Sequence, residues 1–227
     1  MCEADNHVGS LGQLRALIFD LDGTLVDSSQ GILTSLTEAF QQAGVELTHP
    51  LGPSLIGPPL DDIIVFLNPQ LNKSQRSRIA TCFKRNYDSW GYKKTIPFDG
   101  IERMLHQFRS LSISLHITTN KRATPTQLIL QHLGWEEIFT SVYCPDSIAP
   151  ASTQKQELLA SQLRAEHLSA PCSLYIGDRL EDWHSAKANA MRFAWAQWGF
   201  TAESLSFDDD SILLSSPDSS LLISALR

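Results

Sequence analysis

The chain is constrained most by one junction, where the apolar run Ala16-Leu17-Ile18-Phe19 passes without a break into Asp20-Leu21-Asp22-Gly23-Thr24. Four consecutive apolar residues read as a strand buried on both faces, since a half-exposed strand would alternate. The Asp-Gly step behind it is a turn signal. Two carboxylates are therefore set just past the end of a buried strand, where open α/β sheets bind their ligands. A lone Asp-Gly turn would carry little more than that. At about 5% usage per residue type, however, the full pattern DxDGT arises by chance in roughly one chain in a thousand of this length.

The remaining periodicities extend the same architecture. Ile32, Leu36 and Phe40 recur every four residues with Ala39 and Ala43 alongside, predicting a helix that Ser28 or Ser29 can start and Gly44 can end. To about Tyr92 the pattern stays helical, interrupted at Pro50-Leu51-Gly52-Pro53 and Gly57-Pro58-Pro59, with no strand expected. Ile101 to Leu111 reads as a helix, and Ile113, Leu115 and Ile117 alternate as a strand ending at Thr118-Thr119. Thr124 then begins a capping-box pattern, with Pro125 at the first helical position and Gln127 at the third, and Gly134 stops that helix. Ser173-Leu174-Tyr175-Ile176 reads as a third strand, ending at Gly177-Asp178 and followed by a helix around Ser185 to Ala190. Strands alternating with helices imply an α/β fold with a doubly wound, mainly parallel sheet. Such a sheet brings Asp20 and Asp22, Thr119, and Asp178 with Asp182 onto one rim.

Carboxylates two residues apart can serve one reaction in two roles. The first can act as a nucleophile that forms an acyl-phosphate, and the second as general acid and then base. A cluster of carboxylates repels itself and favours a cation. Magnesium suits it, because it takes oxygen ligands and shares substrate phosphate.

The stretch Leu17-Ile18-Phe19-Asp20-Leu21-Asp22-Gly23-Thr24-Leu25-Val26-Asp27-Ser28 resembles the first motif of the haloacid dehalogenase-like hydrolases. It is most similar to the phosphoglycolate phosphatase-type branch, which inserts a small helical cap after that motif. Ile56-Gly57-Pro58-Pro59-Leu60 resembles a cap loop of the branch. The resemblance implies a Rossmann-like core with an inserted cap: a tail at 1–13, the core at 14–27 and 95–227, and the cap at 28–94. It also implies a magnesium-dependent phosphatase working through an aspartyl-phosphate, with Asp20 the nucleophile, Asp22 the acid/base and the Asp22 carbonyl a metal ligand. The phosphoryl-binding residue is Thr119, in Ile117-Thr118-Thr119-Asn120-Lys121. Gly177-Asp178-Arg179-Leu180-Glu181-Asp182 resembles the family's GDxxxD, giving Asp178 and Asp182 as further metal ligands; Glu181 fits the spacing less well. Gly23, Thr24 and Asn120 are assigned to substrate binding. No Lys-Pro occurs, but Lys155-Gln156-Glu157-Leu158-Leu159 is similar to the variant in which the catalytic lysine opens a helix. Asn189 stands where many relatives have Gly, with only a local loop effect expected.

A formal charge of -7 and a pI near 5.4 argue against a broad nucleic-acid surface. The resemblance implies a small phosphorylated metabolite as the partner, bound by a monomer or homodimer. No apolar run is long enough for a membrane span, the first twelve residues do not resemble a secretory signal, and a cytoplasmic protein is expected. Cys2, Cys82, Cys144 and Cys172 form no CxxC pair and read as reduced thiols, and the scattered histidines form no zinc spacing. Trp195, Trp198 and Phe200 read as core or as flanking a strand end, and Asp208-Asp209-Asp210 as a solvated turn. Arg85, Lys94 and Ser54 to Leu60 are candidate contacts to a substrate tail. A phosphomutase and a non-catalytic phosphate-binding relative remain as alternatives. Dehalogenase chemistry would not call for acids at both Asp22 and Asp178, and no GxGxxG supports dinucleotide binding.

Overall fold

The computed structural model describes residues 14–148, 154–201 and 211–225; the expected tail at 1–13 and the acidic turn at Asp208-Asp209-Asp210 lie outside them. In chain order the elements are β1 (Ala16–Phe19), β2 (Val26–Asp27), α1 (Ser29–Ala43), α2 (Leu60–Leu67), α3 (Lys73–Ser89), β3 (Ile96–Pro97), α4 (Ile101–Ser110) and β4 (Ser114–Thr118). They continue as α5 (Ala123–Leu133), β5 (Ser141–Tyr143), α6 (Lys155–Ala165), β6 (Ser173–Gly177), α7 (Leu180–Ala188), β7 (Arg192–Ala196), β8 (Ile212–Leu214) and α8 (Ser219–Ala225). Six strands form one parallel sheet in the order β5-β4-β1-β6-β7-β8. The chain works outward from β1 to one edge, returns to β6 and works outward again. The reversal beside β1 opens a crevice at the strand ends, and Asp20 is the first residue beyond β1.

The apolar run of β1 is explained by its two faces. Leu17 and Phe19 pack into a cluster with Ile101, Leu105 and Phe108 of α4, whereas Ile18 faces Leu159 of α6, Ala186 of α7 and Phe193. Each such fully buried side chain stabilises the fold by roughly 1.5–3 kcal/mol relative to exposure. The helices between β2 and β3 close over a cluster of their own, built on Ile32, Leu36, Ile64, Ile79 and Phe83. The short strands β2 and β3 pair antiparallel, Val26 with Pro97 and Asp27 with Ile96, so the chain leaves the sheet layer and returns to it side by side.

Several sequence expectations change here. The α5 helix starts at Ala123 rather than beyond Thr124, and no capping box forms. The carboxylate of Asp146 accepts the Ala123 amide at 2.7 Å, a cap supplied from 23 residues away that removes any need for Thr124. The α7 helix begins at Leu180, five residues before the expected Ser185, and ends at Ala188. β4 is not one-sided, because His116 is buried between the hydroxyls of Ser114 and Ser141. Asn189 is more than a local loop feature: its amide donates to the carbonyls of Ser185 and, across to α6, of Gln156. Cys82 and Cys144 are free thiols, but Cys172 is disulfide-bonded, against the expectation of four reduced cysteines. No helix among the described residues is long and apolar enough to cross a membrane.

Candidate active site

Asp20 leaves β1 with its amide bonded to the Ile176 carbonyl of β6, which fixes its backbone beside the neighbouring strand end. Gly23 turns the chain back at φ +88°, and a Cβ there would lie 2.4 Å from Asp178 Oδ2. Only glycine satisfies both the left-handed turn and that approach. The same turn brings the Thr24 hydroxyl to 3.4 Å from Asp178 Oδ1, and the Phe200 amide donates to Asp178 Oδ2 at 2.9 Å. Thr24 is fully buried and, like Gly23, does not line the cavity described below; its position is behind Asp178.

Lys155 opens α6 and is 3% exposed. Its Nζ lies 2.9 Å from Asp20 Oδ1 and donates to Asp182 Oδ1 at 2.6 Å. Asp182, three residues into the first turn of α7, also accepts the Arg179 amide on Oδ2 at 3.0 Å, and the Tyr175 hydroxyl lies 3.3 Å from its Oδ1. Asp20, Asp178 and Asp182 each offer an oxygen within 4.8 Å of the others, and all three are buried. One lysine among three carboxylates leaves the cluster short of positive charge. Burial, opposed by Lys155 and reinforced by Asp182, pushes the Asp20 carboxyl up to about 7. Burial, with Asp182 and Asp20 adding to it, pushes Asp178 up to about 8. Burial pulls the Lys155 ammonium down, but Asp182 and Asp20 outweigh it and hold the pKa well above the usual lysine value. An all-oxygen set of donors lacking positive charge fits a hard divalent cation such as magnesium.

Asp22 is held differently. Lys121 Nζ donates to both of its oxygens, at 3.0 and 2.9 Å, and the Ser28 hydroxyl donates to Oδ1. That ammonium also sits 4.7 Å from the centroid of the Tyr87 ring in α3, and Asp22 overcomes burial to raise its pKa. The Asp22 side chain is thus separate from the cluster of three acids. Thr118 donates its hydroxyl to Gln162, whereas Thr119 lines the cavity and its hydroxyl accepts the Lys121 amide at 3.2 Å.

A cavity of about 100 Å³ lies over these groups. Its floor includes Asp20, Asp22, Thr119, Asn120 and Lys121; its roof includes Ile32, Leu36, Ile56, Ile63, Phe83 and Tyr87. Arg179 fastens the loop of the roof, donating to the carbonyls of Ser54, at 3.3 Å, and Ile56. Asn120 Nδ2 bridges the Gly57 carbonyl, at 3.3 Å, and Glu181 Oε2, at 2.8 Å, so Glu181 faces the roof rather than the acid cluster. Within Ser54 to Leu60, Ile56, Gly57, Pro58 and Leu60 reach the cavity, whereas Arg85 and Lys94 do not; Arg85 bonds the Gln42 side chain instead. Trp195 is buried in β7, Trp198 donates to the Thr24 carbonyl, and Phe200 packs near Phe98, as core and strand-end residues do.

Sequence marks Ser28 as a helix start rather than a partner of Asp22, and gives Tyr175 no functional signal. The Thr-Asn-Lys and Gly-Asp-Arg triplets are the signals for Lys121 and Arg179, which follow Asn120 and Asp178.

Comparisons with known proteins give the family and the fold. The sequence model of the family described as haloacid dehalogenase-like hydrolase matches residues 17–196. A phosphoglycolate phosphatase of Xylella fastidiosa is 28% identical over 222 residues, covering 94% of this chain and 96% of that protein. The tyrosine-protein kinase PtkA of Mycobacterium tuberculosis is 30% identical over 190 residues, covering 81% of this chain; the match spans 62% of the kinase's own length. Among solved structures, a haloacid dehalogenase-like hydrolase family protein of Streptococcus pneumoniae superposes with a TM-score of 0.79 at 28% identity, covering 91% of this chain and 96% of that one.

Proposed function

The chain belongs to the haloacid dehalogenase-like hydrolases, and on that premise we propose that it is a magnesium-dependent phosphatase of a small phosphomonoester. The observation that carries this reading is the buried set of Asp20, Lys155, Asp178 and Asp182 beneath a cavity lined by Thr119 and Asn120. Asp20 attacks phosphorus, the bond to the leaving oxygen breaks, and Asp22 supplies the proton that turns that oxygen into an alcohol. Water deprotonated by Asp22 then attacks the aspartyl-phosphate, releasing inorganic phosphate and restoring Asp20.

Lys155 offsets the charge of Asp20 and orients it, with Asp182 anchoring the ammonium from behind. Thr119 stands where its hydroxyl can donate to a phosphoryl oxygen, and Asn120, whose amide bonds Gly57 and Glu181, ties the roof loop beside it. Thr24 and Gly23 serve by positioning Asp178. Asp20, Asp178 and the Asp22 carbonyl would hold the magnesium ion, with Asp182 as a further carboxylate of the cluster. The ion would supply positive charge against the nucleophile and the phosphate. Residues 28–94 act as a cap whose roof excludes bulk water. The names of the Xylella and Mycobacterium relatives, a phosphatase and a kinase, both describe phosphoryl transfer and differ in the acceptor.

The test is phosphate release from p-nitrophenyl phosphate with magnesium, with EDTA in its place, and with Asp20→Asn. Release should require magnesium and fall by at least about 1,000-fold in the variant. Undiminished release under either condition would refute the mechanism, and phosphate transferred to a second hydroxyl instead of released would replace it with a mutase.

A further inference from the structure

The cavity's walls say which alcohol the phosphate is attached to. The roof reaches it from α1, α2, α3 and the loop before α2, and Ile32, Leu36, Ile56, Leu60, Ile63 and Phe83 of that roof are hydrocarbon. Tyr87 brings a buried neutral hydroxyl to the same wall. A neutral hydroxyl can meet an uncharged oxygen but cannot balance a charge.

The cations around the cavity are already engaged. Lys121 holds both oxygens of Asp22, Arg122 holds both oxygens of Asp88 at 2.7 and 3.0 Å, and Arg179 donates to backbone carbonyls of the roof loop. A substrate carrying a second anion would set it against hydrocarbon and would have to draw Arg122 or Lys121, the cations lining the cavity, away from Asp88 or Asp22, which is unfavourable. A compact apolar group would gain from the same wall. A space of about 100 Å³ favours a compact group over a nucleoside-sized one.

We propose that the site, if it is the phosphatase described above, takes the monophosphate of a compact, uncharged, mainly apolar alcohol. The reaction is balanced by water: the alkyl phosphate's P–O bond breaks, and the alcohol and inorganic phosphate leave. The closing experiment compares isobutyl phosphate with phosphoglycolate, which matches it in heavy atoms but ends in a carboxylate. With the full chain and magnesium, kcat/KM for isobutyl phosphate should exceed that for phosphoglycolate by on the order of 100-fold. Adenosine 5′-monophosphate should be poorer than isobutyl phosphate. Ile56→Lys places a cation on the loop of the roof and should narrow the isobutyl-to-phosphoglycolate ratio at least about tenfold. The ratio is read within one protein, so overall loss of activity cancels.

Equal or better use of phosphoglycolate or the nucleotide overturns the proposed substrate class, as does a ratio unmoved by Ile56→Lys. Release from p-nitrophenyl phosphate with neither alkyl substrate turned over overturns it too, and leaves the phosphatase reading standing. Release from none of these substrates defeats both.

Discussion

The floor and the roof of the cavity handle burial in opposite ways. On the floor, Asp20, Lys155, Asp178 and Asp182 are each no more than 3% exposed, and each is located by a neighbour's charge or hydrogen bond. Above them, Leu36, Ile63 and Phe83 are buried by hydrocarbon contact, with Tyr87 adding a hydroxyl to the same wall. Removing a floor group strands a charge, whereas trimming a roof group changes a shape. On the proposed reading, the chemistry belongs to the floor and the selection of substrate to the roof.

The largest effect should come from Lys155→Met, which keeps the length of the side chain and deletes its charge. Asp20 and Asp182 are then buried without their partner, and urea unfolding of the metal-free protein should show a loss of about 3–5 kcal/mol. A loss below about 1 kcal/mol would mean that the floor is not held by charge. Magnesium comes next. Asp20 and Asp178 titrate in the folded protein at about 7 and about 8, above their ordinary 3.8, so they keep protons the unfolded chain has lost. From these groups, the stability of the metal-free protein falls as pH rises from about 4 to about 8. A cation needs both carboxylates ionised, so magnesium at 100 times its Kd should add about 2.7 kcal/mol at high pH. The shift in Tm should be clearly larger near pH 8.5 than near pH 6, and the reverse order would exclude these acids as the binding site.

Lys121→Met tests the boundary between the two regions, since its ammonium lies between Asp22 on the floor and Tyr87 in the roof. Ser28 still donates to Asp22 in the variant, so we expect a loss of about 1.5–3 kcal/mol by denaturant titration. Turnover should drop on the order of 100-fold through the misplaced acid/base. Smallest is Phe83→Leu, a change of shape in an apolar wall, for which melting should report less than about 1.5 kcal/mol. Its signature is a change in substrate preference with the magnesium requirement intact; loss of all turnover would erase the distinction between floor and roof.

The floor was legible because its signals are local. A buried strand running into DxDGT, a strand ending at Thr119 and the Gly177-to-Asp182 stretch each place a side chain without knowledge of the others. Lys155 was found without the Lys-Pro marker, as the lysine that opens α6. Lys121 and Arg179 were passed over because their partners lie far away: Asp22 is 99 positions from Lys121, and the Ile56 carbonyl 123 from Arg179. Tyr175 in β6 was indistinguishable from core. The roof was illegible for another reason: Ile32 and Leu36 in α1, like Phe83 and Tyr87 in α3, repeat at helical spacing, and that pattern is the same whether a helix faces a core or a substrate. β5 and β8, at three residues each, are too short to show a period, and the Asp146 cap on α5 comes from beyond the helix itself.

The paired strands β2 and β3 have a consequence for how such a protein can change over generations. Val26 faces Pro97 and Asp27 faces Ile96, so the two ends of a long excursion emerge from the sheet layer as near neighbours. The entropy of closing a loop grows only slowly with its length once its ends are fixed. A lineage can therefore lengthen, shorten or exchange what lies between those two strands while the acids at the rim of the sheet stay in register, and what the rim can reach changes without rebuilding the rim.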